Sequence, residues 1–428
     1  MYSKASKFKT NIKMRNRKLN QWLWKWHFIA GLISLPFVIL LAITGGVYLF
    51  KDKYEAPKQV HIKTVKVKGE IISYTKQWEL AKKASHKMPS SMVIPTEANE
   101  AVTFSSGMFS HKNNIYINPY KGEETGSIGP KDSNMHIVRK LHGELFLGKF
   151  GTKIVELIAS WMFVLIITGI YVFWPNKKDG IKGFFRIRFK QGKRILYRDL
   201  HTVLGFWASI LLLMTLAGGL PWTDVFGSNF KALQKETNTG FPKTWDSKTL
   251  KSDIKGKPIS LDTIVKLAKS MNLKGEVSIG FPKNEKGVYS IYNTTFDLDA
   301  QKKYHFDQYS GKELIHHNWE DVGFLMHGRM WLMAFHQGQF GLWNWLLMIG
   351  IAILLAFVSM AALISYLKRK ETGKWGTPKV PISFKAGYGV IGVIVILGIV
   401  LPLFGASILL ILGIEFLRKN KNQKQVKL

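Results

Sequence analysis

The feature that most constrains this chain is a set of apolar runs that are too long for the core of a soluble protein. An α-helix rises about 1.5 Å per residue, so about 20 apolar residues cross the hydrocarbon core of a bilayer. Four runs reach this length, and only the second contains charged residues, near its start: 27–50, 151–174, 201–222 and 340–367. We therefore predict a membrane α-helical bundle with these four core spans.

A fifth apolar run, 387–417, is interrupted by Leu401-Pro402 and carries Glu415. Proline removes a backbone donor and breaks or kinks a helix. A continuous helix of this length would measure about 46 Å, which is more than one crossing needs. We therefore predict a C-terminal hairpin of two helices rather than one long kinked helix.

Basic residues are concentrated in the short segments that connect these runs. The chain has 61 Lys and Arg against 28 Asp and Glu, a net charge of +33. Four segments hold 28 of the basic residues and only three acidic ones: 1–26, 175–200, 368–386 and 418–428. Because cytoplasmic segments of membrane proteins are rich in Lys and Arg, we predict that these segments, and with them both termini, are cytoplasmic. The long segments 51–150 and 223–339 are then extracytoplasmic.

Composition excludes several other classes of protein. Membrane orientation accounts for the basic charge, so we expect contact with membrane lipid and no nucleic acid partner. The chain has no cysteine, which excludes iron–sulfur clusters, thiolate zinc sites and covalently attached c-type haem. We find no Gly-x-Gly-x-x-Gly after a strand and no Walker loop, so no nucleotide cofactor is predicted.

Each extracytoplasmic segment has the pattern of a small α+β module, with a helical stretch followed by alternating runs. Ser260 is the expected N-cap of the second helix. The predicted helices are Tyr74–Lys87 and Ser260–Met271, and the predicted strands are Val102–Ser106, Asn114–Ile117, Gly287–Tyr292 and Lys303–Asp307.

The chain also repeats itself. An offset of 174 residues carries His27, Gly31 and Gly45 onto His201, Gly205 and Gly219. An offset of 189 carries Tyr120, Gly122 and Glu124 onto Tyr309, Gly311 and Glu313. The unit of span, outside module and span therefore occurs twice, and equivalent spans run in the same direction. We predict an internal parallel duplication, as is known in other membrane proteins.

Histidines stand at both ends of the spans. His27 and His201 begin spans at the cytoplasmic side, whereas His142, His327 and His336 precede spans at the outside. Ionisable side chains within or at the ends of membrane spans are rare and are usually functional. The distance to the end of the following span favours His336 as the counterpart of His142, but the local sequence favours His327. We predict His336 and keep His327 as the alternative.

Two histidines on each side of an apolar bundle suit the axial ligation of a b-type haem, whereas zinc requires three or four protein ligands. Glycines in the first and third spans would leave bare backbone beside the rings, where a flat cofactor could approach. They are Gly31, Gly205, Gly45 and Gly219. Glycines at these positions also suit close packing of helices. Arg139 and Arg198 each precede a candidate histidine by three residues and offer cations for haem propionates. Positive-inside charge alone also explains Arg198.

Four short motifs, in order along residues 20–370, resemble the PepSY-associated transmembrane family. The first is Trp26-His27 with Gly31, leading to Thr44-Gly45-Gly46. The second is Leu141-His142, followed by Thr168-Gly169. The third is Asp199-Leu200-His201 with Gly205 and Trp207, and the fourth is His336 with Gly338, Gly341 and Asn344. The two outside modules resemble PepSY domains, small α+β units that end in a Tyr-x-Gly hairpin.

This resemblance implies a multi-pass protein of the bacterial inner membrane that takes part in iron uptake. It implies a di-haem b-type electron-transfer protein that reduces ferric chelates or siderophores outside, with His27, His142, His201 and His336 as axial iron ligands. The electron donor would be a quinol or a cytoplasmic reductase. The alternative is a non-enzymatic membrane protein whose modules bind an extracytoplasmic peptidase or peptide. A transporter is less favoured, because no central span carries an acidic residue at mid-depth.

Overall fold

The structure is a computed structural model, and it describes residues 2–85, 87–107, 111–175, 179–378, 380 and 384–425. Parts of the predicted cytoplasmic segments, including 176–178, 381–383 and 426–428, lie outside the described residues. The chain forms two compact units. The helical unit comprises Met1–Leu49, Arg139–Phe230 and Phe335–Leu428, and the sheet unit comprises Phe50–Val138 and Lys231–Ala334.

Twelve α-helices lie within the described residues, and three of them contain residues of both units. They are α1 (Tyr2–Tyr48), α2 (Lys51–Lys63), α3 (Tyr74–Ala84), α4 (Asn134–Glu144), α5 (Gly148–Phe173), α6 (Lys193–Gly219), α7 (Val225–Glu236), α8 (Leu261–Ser270), α9 (Phe324–His336), α10 (Leu342–Leu367), α11 (Tyr388–Val400) and α12 (Pro402–Gln425). A short 3-10 turn, Leu220–Trp222, extends α6.

Four of these helices are long and apolar enough to cross a membrane: α1, α5, α6 and α10. In the helical unit α1 packs against α5 and α10, and α6 packs against the same two helices, so the four form a closed bundle. Each helix buries a small serine among its apolar residues, namely Ser34, Ser160, Ser209 and Ser359. Small residues allow close approach of helices where lipid removes the hydrophobic driving force. Each of the four predicted spans falls on one of these helices.

The C-terminal apolar run forms two helices, α11 and α12, which are separated at Leu401. Pro402 opens α12, where its missing N–H is tolerated. A Cβ on Gly405 would lie 2.5 Å from the carbonyl oxygen of Gly398, so the two helices cross with glycine against glycine. Trp161 of α5 donates a hydrogen bond of 3.1 Å to Ser407, which joins α12 to the bundle. With 13 residues, α11 measures about 20 Å, less than the thickness of a bilayer core.

The sheet unit contains one antiparallel sheet of eight strands in the order β4-β3-β2-β1-β5-β6-β7-β8. The strands are β1 (Ser91–Val93), β2 (Val102–Ser106), β3 (Asn113–Ile117), β4 (Glu124–Ile128), β5 (Glu276–Gly280), β6 (Val288–Thr294), β7 (Lys302–Asp307) and β8 (Glu313–Asn318). The two long segments of the sequence each supply four strands. They meet at β1 and β5, where Met92 pairs with Ile279. The strands of the two segments thus belong to one continuous sheet, a junction that the sequence does not predict.

One face of this sheet is covered by α3 and α8. Alternating apolar side chains of the strands form the core on this face, including Phe104, Ile279 and Ile291, all fully buried. Ser73 and Ser260 cap the two helices by accepting hydrogen bonds from Lys76 and Thr263, so the predicted cap at Ser260 is present.

The carboxylate of Asp262 in α8 links the two covering helices. It accepts hydrogen bonds from the backbone N–H groups of Tyr74 and Thr75, at 2.7 and 3.2 Å, and from the Thr75 hydroxyl at 2.6 Å. Partial burial opposes ionisation of this group, but the hydrogen bonds from Thr75 and Tyr74 outweigh it, so the pKa of Asp262 lies below its ordinary value.

Candidate functional site

The candidate site consists of two pairs of histidines in the helical unit. His27 of α1 and His201 of α6 have ring centroids 6.4 Å apart, and we call them the 27–201 pair. His142 of α4 and His336 of α9 also have ring centroids 6.4 Å apart, and we call them the 142–336 pair. The structure therefore places His27 beside His201 and His142 beside His336, the two combinations that the sequence favours.

The two pairs lie at opposite ends of the four-helix bundle. His27 belongs to α1, whereas His142 contacts α1 at Thr44 and Gly45. These contact points are 17 residues apart along one helix, which corresponds to about 26 Å. A distance of this size is close to the thickness of a bilayer core, about 30 Å.

Every one of these imidazoles is held through its Nδ1 atom. In His27 and His142, Nδ1 lies 3.0 and 3.1 Å from the hydroxyls of Thr168 and Thr44. In His201, Nδ1 lies 3.1 Å from the carbonyl oxygen of Val358, and in His336 it lies 2.9 Å from that of Thr215. Each partner belongs to a different helix from its histidine, so the packing of the bundle fixes the orientation of all four rings.

These partners also determine the tautomer. A carbonyl oxygen can only accept, so His201 and His336 must donate from Nδ1. The Thr44 hydroxyl donates its proton to the carbonyl of Leu40 at 2.7 Å, and that of Thr168 to Val164 at 2.8 Å. Both hydroxyls therefore accept from the ring. All four imidazoles keep a lone pair on Nε2, and within the described parts of the chain no hydrogen bond engages that atom. A neutral imidazole that donates from Nδ1 and keeps a lone pair on Nε2 is the form that can bind a metal.

Glycines lie against three of the four rings. A Cβ on Gly45 would be 3.0 Å from Cε1 of His142, one on Gly169 would be 3.1 Å from Cε1 of His27, and one on Gly219 would be 3.6 Å from Cε1 of His336. Gly45 and Gly219, which the sequence suggests would border a flat cofactor, lie directly against the imidazoles, and a side chain at Gly45 would push the His142 ring away.

Gly31 and Gly205 lie one turn from His27 and His201. A Cβ on Gly31 would have one neighbour within 4 Å, Leu165 at 3.9 Å, and a Cβ on Gly205 would have only Val358 at 3.7 Å. These two positions therefore present bare backbone with little protein packed against it. Their role beside a flat cofactor stays a prediction.

The donor set fits an iron that already has four ligands of its own. Within the described residues, no group of three or more His, Cys, Asp or Glu is arranged to hold a metal ion. Two imidazoles complete the coordination of a porphyrin-bound iron but not that of a structural or catalytic zinc ion. Imidazole nitrogen lies about 2.0–2.1 Å from a first-row metal. The ring centre lies about 1.1 Å beyond it for bonds of about 1.33 Å. Two imidazoles on opposite sides of one metal would therefore have centroids roughly 6.3 Å apart, and the observed 6.4 Å leaves room for such a metal.

The sequence matches the model of the PepSY-associated TM region family over residues 24–369, most of the chain. The chain belongs to this family. A comparison with curated proteins finds no match. Together, the family and the four apolar helices make this PepSY-associated protein a multi-pass membrane protein with a β-containing module, as predicted.

The alternative ligand His327 is engaged elsewhere in this PepSY-associated protein. Its ring stacks on Trp319 with a centroid distance of 4.6 Å, and its Nε2 lies 2.7 Å from the carbonyl oxygen of the same residue. The nitrogen that would bind a metal therefore carries the proton of this hydrogen bond. His336, and not His327, is the histidine that lies beside His142.

The two predicted cations each have a carboxylate partner. Arg139 lies 3.6 Å from Glu144. Arg198 lies 3.0 Å from Asp199, whose nearly buried carboxylate also accepts two hydrogen bonds from the guanidinium of Arg188. These ion pairs neutralise part of the positive charge of Arg139 and Arg198. The prediction that the two arginines bind haem propionates does not take them into account.

Three residues of the site have no role in the sequence analysis: Thr44, Thr168 and Gly169. All three stand in the motifs that resemble the family, where a Thr-Gly pair occurs in each of the first two spans. The structure explains the repetition, because each Thr-Gly pair receives one histidine ring, His142 at Thr44-Gly45 and His27 at Thr168-Gly169. The recurrence of Thr-Gly was the available signal.

Proposed function

We propose that this protein is a di-haem b-type electron-transfer protein that reduces ferric chelates, such as siderophores, on the extracytoplasmic side during iron uptake. The observation that carries the proposal is the pair of matched histidine couples, one near each end of the bundle. In each couple both Nδ1 atoms are tied to a neighbouring helix and both Nε2 atoms keep a lone pair.

His27 and His201 would hold one b-type haem, and His142 and His336 the other. When bound, such a haem supplies a one-electron couple whose potential depends on its axial ligands and burial. The chain fixes the tautomer and orientation of the four ligands, and it separates the two pairs by about 26 Å along α1. A donor would lose one electron at the 27–201 side, and the ferric ion of a chelate would gain one at the 142–336 side.

The direction of transfer follows from the proposed topology. Both termini and the segment 175–200 are cytoplasmic, because they hold the excess of Lys and Arg. The 27–201 pair then faces the cytoplasm of a bacterium, and the 142–336 pair faces the outside of its inner membrane. The donor is a quinol in the membrane or a cytoplasmic reductase, and lipid surrounds the four spans.

An internal parallel duplication underlies this arrangement. Gly45 and Gly219, 174 residues apart, each lie against a histidine ring of the same pair. The two Tyr-x-Gly turns also correspond: Tyr120 donates its hydroxyl to Ala98, Tyr309 donates to Glu285, and Gly122 and Gly311 both have positive φ, at 72° and 67°. Two PepSY-like modules, related by this duplication, form the extracytoplasmic part.

An optical spectrum of the purified protein tests the proposal. The protein is prepared in detergent from haem-replete cells, and reduced-minus-oxidised spectra are recorded for the wild type and for H27A, H142A, H201A and H336A. We expect b-type bands from two haems, about half of which are lost in each variant. His316, which is exposed and bonded to Glu313, provides the control H316A, which should keep all of the absorbance.

A second candidate function is a binding module without a redox role. The sheet unit has a cavity of about 280 Å³, near the lower limit for small-ligand sites. Aromatic side chains line much of it, including Trp78, Phe281 and Tyr309. A peptide or a peptidase segment with an aromatic residue would suit this cavity. A colourless wild-type preparation would favour this function and contradict the first.

A further inference from the structure

The two histidines of each pair are held by different kinds of acceptor. In the 142–336 pair, His142 is held by the hydroxyl of Thr44, but His336 is held by the backbone carbonyl of Thr215. In the 27–201 pair, His27 is held by the hydroxyl of Thr168, but His201 is held by the carbonyl of Val358. Each pair therefore has one ligand whose Nδ1 lies beside a hydroxyl that a point substitution can remove. A backbone carbonyl also bonds to each of these two rings, that of Leu165 to His27 and that of Leu41 to His142.

The duplication offers an internal comparison. The offset that carries Gly45 onto Gly219 carries Thr44 onto Gly218, which has no side chain. A hydroxyl is therefore not required for this helix to pack at this level. Where the hydroxyl is missing, the histidine is bonded to a main-chain carbonyl instead. The Thr44 hydroxyl bonds both to its own helix, at Leu40, and to the His142 imidazole, and only the second bond joins two helices.

The chemical effect of such an acceptor is known in general terms. A hydrogen bond from Nδ1–H fixes the ring and makes the opposite nitrogen, Nε2, a stronger donor to the metal. A stronger donor favours the oxidised iron, so it lowers the reduction potential. Thr44 is 6% exposed, so water does not readily replace its hydroxyl as the acceptor, and the carbonyl of Leu41 is the acceptor that stays beside the His142 ring.

We propose that Thr44 and Thr168 are positioning residues, each of which sets the ligand strength of one histidine in one of the two centres. The proposal rests on the proposed di-haem function. Thr44 acts on the 142–336 centre alone and Thr168 on the 27–201 centre alone. The potentials of the two centres are therefore adjustable separately, each through a single hydroxyl.

A redox titration followed by optical spectroscopy tests this proposal. Thr44→Val and Thr168→Val keep the shape of the side chain but remove the hydroxyl. We expect each variant to raise the potential of one haem component and leave the other unchanged. Mutation of an outer-shell partner typically costs about 10–100-fold in metal affinity or activity. A tenfold change in the ratio of reduced to oxidised haem at a fixed potential corresponds to about 59 mV for one electron.

Matched variants separate this effect from a general loss of packing. Thr44→Ser and Thr168→Ser keep the hydroxyl and should restore the wild-type potentials. Ser160→Ala and Ser209→Ala remove buried hydroxyls that bond only to carbonyls of their own helices, at 2.8 Å each. These control variants should leave the potentials of both haem components unchanged.

Each result has a definite meaning. Unchanged potentials in both valine variants, with both haems present, would overturn the positioning role and leave the proposed function intact. A shift of both components in each variant would also overturn it, because the effect would then be global. Absence of haem from the wild type would overturn the proposed function itself. If a valine variant loses its haem, the serine variant decides: loss there too contradicts the role of the hydroxyl.

Discussion

Two regions of this protein bring histidine rings together at the same spacing, and only one of them has the properties of a ligand site. In the helical unit, the centroids of His27 and His201 are 6.4 Å apart, with an interplanar angle of 64°. In the sheet unit, the centroids of His305 in β7 and His317 in β8 are also 6.4 Å apart, with an angle of 74°. Ring distance alone therefore does not distinguish the two pairs.

The difference lies in which nitrogen is engaged and in what surrounds it. His305 is tied through Nδ1 to Ser290, but His317 is tied through Nε2 to Thr244, both at 2.8 Å. Lys303 lies close enough for its charge to act on both rings. The charge of Lys303 on both rings and the engaged Nε2 of His317 oppose metal binding. In the helical unit, none of the four Nε2 atoms has a hydrogen-bond partner among the described residues. The orientation of the imidazole, set by its hydrogen-bond partner, is thus the property to examine.

The largest effect that would break this comparison comes from the glycines of the helical unit. Gly45→Leu and Gly169→Leu would displace His142 and His27, because even a Cβ would lie about 3 Å from each ring. We expect each variant to lose one haem component, at least tenfold in affinity, measured by haem content per protein. Gly350→Leu is the control, since nothing lies within 4 Å of its Cβ position. Retention of both components in Gly45→Leu would show that the ring can move without consequence.

A smaller effect, on the pH dependence of stability, would test the role of the histidine pair in the sheet unit. Burial, assisted by the charges of Lys303 and His317, lowers the pKa of His305 from 6.5 to about 4. The unfolded chain binds this proton below about pH 6.5, so the free energy of unfolding falls as the pH drops from about 6.5 to about 4. His305→Gln should reduce this loss by about 2 kcal/mol between pH 7 and pH 5, a difference of roughly 4–8 °C in melting temperature.

The measurement for His305 is a series of thermal melts followed by circular dichroism at several pH values. The same preparation should keep the full haem absorbance, because His305 lies in the sheet unit and is not an expected ligand. An unchanged pH dependence in His305→Gln would mean that this imidazole titrates normally in the folded protein.

The smallest effect concerns Thr244, which engages Nε2 of His317. Thr244→Val removes a neutral hydrogen bond, so we expect a loss of about 1 kcal/mol in stability, seen as a lower melting temperature. No additional haem should bind, because Lys303 still neighbours the ring. A gain of haem absorbance in Thr244→Val would show that a blocked nitrogen is all that separates the two kinds of pair.

The sequence predicts much of this architecture because its signals are local. Charge-free runs reveal the four apolar helices, and alternation reveals strands such as Val102–Ser106, whose predicted bounds match the observed ones. The serine before Leu261 predicts the cap of α8. Histidines at the ends of apolar runs identify the residues that the bundle brings together. Each of these signals lies within one helix, strand or turn.

The features of the fold and site that the sequence does not predict depend on contacts between elements that are distant in the chain. Thr168 and Gly169 look like ordinary residues of an apolar span, and only the packing of α5 against α1 brings them to His27. Strand β1 has three residues, too few to show alternation, so its pairing with β5 has no sequence signal. The long N-terminal extension of α1, before Arg17, has no apolar periodicity from which to predict it.

The pairing of β1 with β5 has a consequence for how the protein is made. Met92 can pair with Ile279 only after Ile279 has been synthesised, 187 residues later in the chain. At a synthesis rate of about 5–20 residues per second, that delay is roughly 10 to 40 s. During this time the edge of the first four strands is open, and two further membrane helices, α5 and α6, are synthesised. Biogenesis therefore requires that the early half of the sheet be protected until its late half arrives.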